Sequence, residues 1–168
     1  MARRGRIEKP VTIREYSDSD ELPVLAIARE LQAHEAAIYD RSKQPEEIGS
    51  WYVAELLVDV EKHQGRFLVA ERDGAVIGYA TLRTVMSSKD ESDEVDYTYA
   101  GVGDLAVLLG HRGTGAGKAL LVECEKTARA AGQKWLRLGV IAANNSARAF
   151  YAKMGLEEKF LTLEKPLA

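Results

Sequence analysis

The sequence predicts a mixed α/β domain in which helices cover a sheet. Three observations carry that reading. β-rich runs and stretches of 3.6-residue apolar period succeed one another in the order β-α-α-β-β-β-α-β-α-β. An Asp73-Gly74 pair joins two β-rich runs as a hairpin turn. A long run from Val95 to Leu108 leads into a glycine-rich stretch that opens a helix. The 168 residues suffice for one domain, with no repeat or linker to divide them.

The elements follow in order. Val11 to Tyr16 alternates and is a first strand. The SDSDELP stretch offers Ser and Asp as N-caps with acids in the first turn. A helix then runs from about Glu21 to Tyr39, its stripe carried by Val24, Ile27, Ala28, Leu31 and Ile38. The next stripe position after Leu31 is Glu35, a carboxylate. Beyond the DRSKQP connector, Gln44 to His63 is a second helix with Pro45 near its start. Its apolar face holds Ile48, Trp51, Tyr52, Leu56 and Val60, and Gly65 ends it.

The hairpin occupies Arg66 to Val85. The acidic MSSKDESDE stretch reads as a solvated loop, or as a wall attracting a cationic substrate. In the Val95–Leu108 strand, Gly101 and Gly103 predict a bulge or a close backbone approach. The following helix runs to about Ala131, with Gly117, Leu120, Leu121, Cys124, Ala128 and Ala131 on one face and Gly132 as its cap. Cys124 is thus a core residue. Lys134 to Ile141 is a strand. Asn144 caps a short helix that Gly155 stops, with Ala147, Phe150, Tyr151 and Met154 on a shared face. Leu156 to Lys165 closes the chain as a strand.

A composition of 46% hydrophobic and 29% charged residues is globular, and a net charge of −3 argues against wholesale nucleic-acid or membrane binding. One cysteine permits no internal disulfide and no cysteine-based zinc site; it fits a reducing, cytoplasmic compartment. No apolar run reaches membrane-spanning length. The basic MARRGRIEKP start has no apolar segment behind it, so it reads as a frayed tail over about residues 1–10 and not as a signal peptide. The histidines at 34, 63 and 111 are too scattered for a metal site, and His63 and His111 read as surface residues.

The stretch HRGTGAGKALL, His111 to Leu121, carries the chemistry. As a nucleotide P-loop it fails: five residues before Gly117 stands Arg112, and Ala119 replaces the magnesium-binding hydroxyl after Lys118. As a dinucleotide fingerprint it reads G-x-G-x-G, with no second βαβ unit evident. What survives is physical. A strand enters a glycine loop that opens a helix, so backbone N–H groups can approach phosphate oxygens. The helix N-terminus adds orphan donors and the positive end of its dipole. Arg112 and Lys118 add charge, and a pyrophosphate would fit.

Arg112-Gly113-Thr114-Gly115-Ala116-Gly117 matches [QR]-x-x-G-x-[GA] after a long strand. Asn144 to Leu156, NNSARAFYAKMGL, matches N-x-x-A-x-x-[LF]-Y-x-K-x-G-[FL]. In this order and layout the two motifs resemble the GNAT superfamily of N-acetyltransferases, over nearly the whole chain apart from the N-terminal tail. The resemblance implies an acetyl-CoA site and no metal. The backbone of Leu105, Ala106 and Val107 would pair with the pantetheine arm like an added strand. The loop of Arg112, Gly113, Thr114, Gly115, Ala116, Gly117 and Lys118 would wrap the pyrophosphate. Asn144 would hydrogen-bond the pantetheine, and Tyr151 would lie near the thioester sulfur as general acid.

The chemistry so implied is direct acyl transfer to a primary amine, which must first lose a proton. A strand N–H near Val107 would serve the developing oxyanion. The base is less evident. Two strand positions where members of that family carry glutamate are Gly101 and Gly103 here, which leaves Asp104 as the acid in the strand's second half. Glu35, with His34 beside it, is a second candidate, because the first two helices border the acceptor site in that family. The competing reading is that the helix ends before Glu35. Three function classes stand at this point: a transferase, an acyl-CoA-binding module without turnover, and a nucleotide binder. The acceptor amine is unspecified, with the acidic loop from Asp90 to Asp96 leaning towards a cationic one, and the family admits a homodimer.

Overall fold

The computed structural model describes residues 10–89 and 95–167. Five strands form one sheet whose spatial order follows chain order: β1 (Thr12–Glu15), β2 (Arg66–Arg72), β3 (Ala75–Ser87), β4 (Thr98–Val107) and β5 (Leu136–Arg137). The first four are antiparallel neighbours, and β5 joins β4 in parallel. A parallel pair needs a crossover, and α3 (Ala116–Ala130) supplies it. The β2–β3 turn is made by Asp73 and Gly74, both at positive φ, +53° and +79°, as a primed hairpin turn requires.

Both faces of the sheet are covered. α1 (Glu21–Ile38) and α2 (Ser50–Lys62) bury Val24, Ile27, Ala28 and Val53 against Phe67, Val69, Tyr79 and Ala106. On the other face α3 buries Leu120, Leu121, Cys124 and Ala128 against Leu68, Ala80, Leu82 and Val102. α4 (Asn145–Lys153) adds the half-buried Phe150, Tyr151 and Met154 to that second cluster. Cys124 is fully buried, and burial pushes its thiol up to about 12.

The entry to α1 is tied to the sheet by charge. The Arg14 guanidinium donates to both oxygens of Asp20 at 2.7 and 2.9 Å and to Glu71 at 2.8 Å. Asp20 also accepts the Ser17 main-chain N–H at 2.8 Å. These donors hold the buried Asp20 carboxyl down to about 2, with Arg14 the largest cause.

Several sequence expectations need correction. The closing strand, Leu156 to Lys165, is not formed: residues 157–167 are exposed and carry no ladder. The short β5 offers it no long edge, and side-chain ion pairs of Glu158 with Arg148 and of Glu164 with Arg41 bind it to the surface instead. Likewise only Leu136–Arg137 of the expected Lys134–Ile141 strand pairs, because β5 leaves β4 after two residues. The second helix splits into a 3₁₀ turn at Pro45–Glu47 and α2, and β4 starts at Thr98. Ala131 is exposed beyond the end of α3, and His63 is half-buried, bonded to the Asp59 carbonyl at 2.8 Å. Most of the expected N-terminal tail (residues 1–9) and of the acidic loop (90–94) lies outside the described residues.

Candidate active site

The site begins with a bulge in β4. Ala80 pairs with Leu105 and Leu82 with Val102, so Thr81 faces both Gly103 and Asp104. A Cβ at Gly103 would stand 2.5 Å from Thr81 Oγ1. Only glycine therefore allows Thr81 Oγ1 to accept the Asp104 N–H, at 2.9 Å. A bulge also shifts the alternation of side chains. Ala100 and Val102 lie in the α3 cluster, yet Ala106 lies in the α1–α2 cluster. Asp104 shares that reversed phase and turns to the α1–α2 side, where it meets Tyr52 and Tyr79.

Beyond the bulge β4 is open. Its ladder with β5 ends at Gly101–Arg137, while β4 itself continues to Val107. Leu105, Ala106 and Val107 remain paired to β3 on one side and have no β5 partner on the other. An extended chain can add to such an edge. The Val107 carbonyl accepts Arg112 Nε at 3.0 Å, and the Arg112 guanidinium lies 3.7 Å from Glu30. Glu30 Oε1 also accepts the Leu109 N–H at 2.5 Å. A carboxylate from α1 thus orders the turn before the glycine loop, a role with no sequence signal beyond its place on the helix.

The loop itself is a cradle. Gly113 and Gly115 sit at φ +74° and +92°, and nothing lies within 4 Å of where their Cβ atoms would be. Gly115 is the N-cap of α3 and no side chain caps the helix, so its first N–H groups have neither an intrahelical nor a side-chain partner. The Thr114 hydroxyl donates to the His111 carbonyl at 2.6 Å, and the Thr114 carbonyl accepts from buried Arg72 at 3.1 Å. Arg112 and Lys118 are exposed beside it, and Ala116 is buried beneath. Gly117 faces Phe150, Val107 and Leu105 in ordinary contact. Asn144 caps α4 by accepting the Ala147 N–H on Oδ1 at 3.1 Å. Its amide NH₂ is left available.

The far end of the open edge is a cluster of acids and phenols. α1 continues to Ile38, so Glu35 stands on a formed helix. Burial, then the neighbouring Asp104 charge, raises its pKa, with His34 opposing. Asp104 Oδ2 accepts the hydroxyls of Tyr52 and Tyr79, each at 2.7 Å. Burial and the charges of Asp104 and Glu35 raise the pKa of Tyr151. Tyr52 and Tyr79 respond in the same sense, burial being the largest cause for both. The fold thus brings Glu35, Asp104 and Tyr151 into one electrostatic neighbourhood. Sequence reading missed Tyr52 and Tyr79 as site residues. The available signal was a phenol on a core-facing position, where the hydroxyl needs a partner.

A splayed sheet, a glycine loop opening α3 and two helices over the opposite face define an acetyltransferase type of α/β domain. The model of the Acetyltransferase (GNAT) family matches residues 26–156, and the chain belongs to that family. Uncharacterized N-acetyltransferases of Mycobacterium bovis and Mycobacterium tuberculosis are 35% identical over 104 residues, a match spanning 62% of this chain and 58% of theirs. Among solved structures, a mutant of the BH1408 protein of Bacillus halodurans superposes with a TM-score of 0.82 at 20% identity, covering 94% of this chain and 99% of that one. A ribosomal-protein-alanine N-acetyltransferase of Brucella melitensis gives a TM-score of 0.69 at 25% identity, over 89% and 86% of the two chains.

Proposed function

We propose that the protein transfers the acetyl group of acetyl-CoA to a primary amine by direct attack in a ternary complex. One observation carries this reading: the edge of β4 that β5 leaves unpaired runs from Asp104, the electrostatic neighbour of Glu35 and Tyr151, to Val107, just before the glycine loop that opens α3. The residues present fit acetyl-CoA. Gly113 and Gly115 leave the cradle open, the first N–H groups of α3 have no side-chain cap, and Arg112 and Lys118 supply positive charge for a pyrophosphate. Leu105, Ala106 and Val107 offer main-chain groups to the pantetheine amides, and the unused Asn144 amide would add a donor.

When bound, acetyl-CoA supplies an activated acyl carbonyl and a sulfur leaving group. Glu35 takes the proton that the acceptor ammonium must shed, since burial and the neighbouring Asp104 charge raise its pKa and make it a stronger base than an ordinary carboxylate. The new C–N bond then replaces the C–S bond. Tyr151 stays protonated at working pH because its pKa is raised, so its hydroxyl holds a proton for the departing sulfur. One proton in all is released to solvent. A covalent acyl-enzyme through cysteine does not suit this chain. Its one cysteine, Cys124, is fully buried and its thiol is pushed up to about 12, whereas acyl capture needs an accessible thiolate.

Thiol release from acetyl-CoA across a panel of amines tests the reading, with intersecting rather than parallel initial-rate plots as the mark of a ternary complex. Calorimetry should find CoA binding and no comparable ATP binding; the reverse result would restore a nucleotide binder.

A further inference from the structure

We infer that Asp104, fixed by Tyr52 and Tyr79, selects the acceptor as a primary alkylammonium with no carboxylate beside it; this rests on the transferase reading above and narrows its substrate. The fixing is directional. Both tyrosine hydroxyls donate to the same oxygen, Oδ2, and no described residue donates to Oδ1. The tyrosines come from different elements, α2 and β3, and Tyr79 is wholly buried. The Asp104 main chain is pinned as well, by Thr81 Oγ1 in the bulge. One oxygen is thus committed to the protein, and the other is held still without a partner.

Charge balance says what the second oxygen is for. Among the described residues neither Asp104 nor Glu35 has an ion-pair partner, although Arg14, Arg41, Arg66, Arg112 and Arg148 all pair with carboxylates elsewhere. Carboxylates withdrawn from water are costly unless a cation compensates them. Among the described residues, the basic group that opposes the rise at Glu35 is His34. An incoming ammonium would supply the missing charge and a donor for Oδ1, while Glu35 receives its proton. A carboxylate on the neighbouring carbon, as in a free amino acid, would set a third anion against these two. Tyr52 and Tyr79 act through Asp104 and are positioning residues.

The test is thiol release from acetyl-CoA with 1,4-diaminobutane, Nα-acetyl-lysine amide and free alanine. Both alkyl amines should exceed alanine by about tenfold or more in kcat/KM. The better of the two tells whether the ammonium comes from a small diamine or a lysine side chain. Tyr52→Phe should raise the amine KM by roughly three- to tenfold while kcat changes little. CoA affinity by calorimetry should not move, which a merely structural role would not spare. Asp104→Asn should raise the amine KM further, and Asp104→Glu should recover part of the loss. Alanine matching the alkyl amines would overturn the inference and leave the transferase reading intact, as would an unchanged amine KM in both Tyr52→Phe and Asp104→Asn. CoA binding without thiol release from any amine would overturn the transferase reading, and this inference with it.

Discussion

Two regions of the molecule withdraw carboxylates from water and treat them in opposite ways. Asp20, at the start of α1, receives both arms of the Arg14 guanidinium and a main-chain N–H, and its pKa falls to about 2. Glu35, four turns further along the same helix in round terms, lies beside Asp104 with no ion-pair partner among the described residues, and its pKa rises. The first arrangement sets against Asp20 a guanidinium from within the fold, shared with Glu71, and fastens α1 to β1. The second leaves the balance open. A compensated carboxylate contributes to folding; an uncompensated pair facing an open strand edge is suited to a ligand.

The largest expected effect breaks the second region. Glu35→Gln should lower kcat by roughly 100-fold or more, the usual scale for a general base, while the melting temperature holds or rises because a disfavoured charge is gone. The wild-type rate should climb with pH through a limb above the ordinary carboxylate range, since Glu35 as the proposed base would act deprotonated and its pKa is raised. That limb should vanish in the variant. Asp104, His34, Tyr52, Tyr79 and Tyr151 face the same neighbourhood, and a limb surviving in Glu35→Gln would transfer the role to one of them. Tyr151→Phe should cost a similar factor in kcat with CoA affinity unchanged.

Breaking the first region should do the reverse. Asp20→Asn should cost about 2 kcal/mol of stability, lowering the melting temperature by roughly 4–8 °C, with kcat preserved at permissive temperature. The sign in pH is fixed by the lowered pKa. The Asp20 contribution is complete above 3.8, the ordinary value, and drains away as pH falls through about 2. Acid unfolding that is indifferent to Asp20→Asn would refute this account. A smaller effect is expected at Gly115, where φ is +92°: Gly115→Ala should cost about 1–2 kcal/mol of strain and weaken CoA binding in calorimetry. Smallest is Lys118→Ala, an exposed charge, which should raise the acetyl-CoA KM by about threefold at low salt and by less at high salt.

Most of the cradle was legible in the sequence because it is local. Arg112 to Lys118 and Asn144 to Tyr151 are contiguous stretches, and glycine spacing, an N-cap and a helix face follow from neighbours in the chain. The end proposed to take the acceptor was legible only in part. Glu35 stood out as a carboxylate on an apolar stripe, and Asp104 as the acid left in the strand. Their juxtaposition with Tyr52 and Tyr79 joins residues 25 and 52 positions apart, and no local pattern encodes that. The closing strand failed for a related reason: β-rich composition states a preference, but a strand exists only where a partner edge is long enough to receive it.

What the sequence alone determined is therefore the fold class, the order of most elements and the glycine loop at the start of α3, because propensity, capping and spacing act over a few residues. The tertiary structure decided which face Asp104 occupies. By alternation from Ala100 and Val102 it would have entered the α3 cluster; the bulge that Gly103 permits against Thr81 turns it to the α1–α2 side. Side-chain phase along a strand is set by register with the neighbouring strand, and register is a property of the assembled sheet.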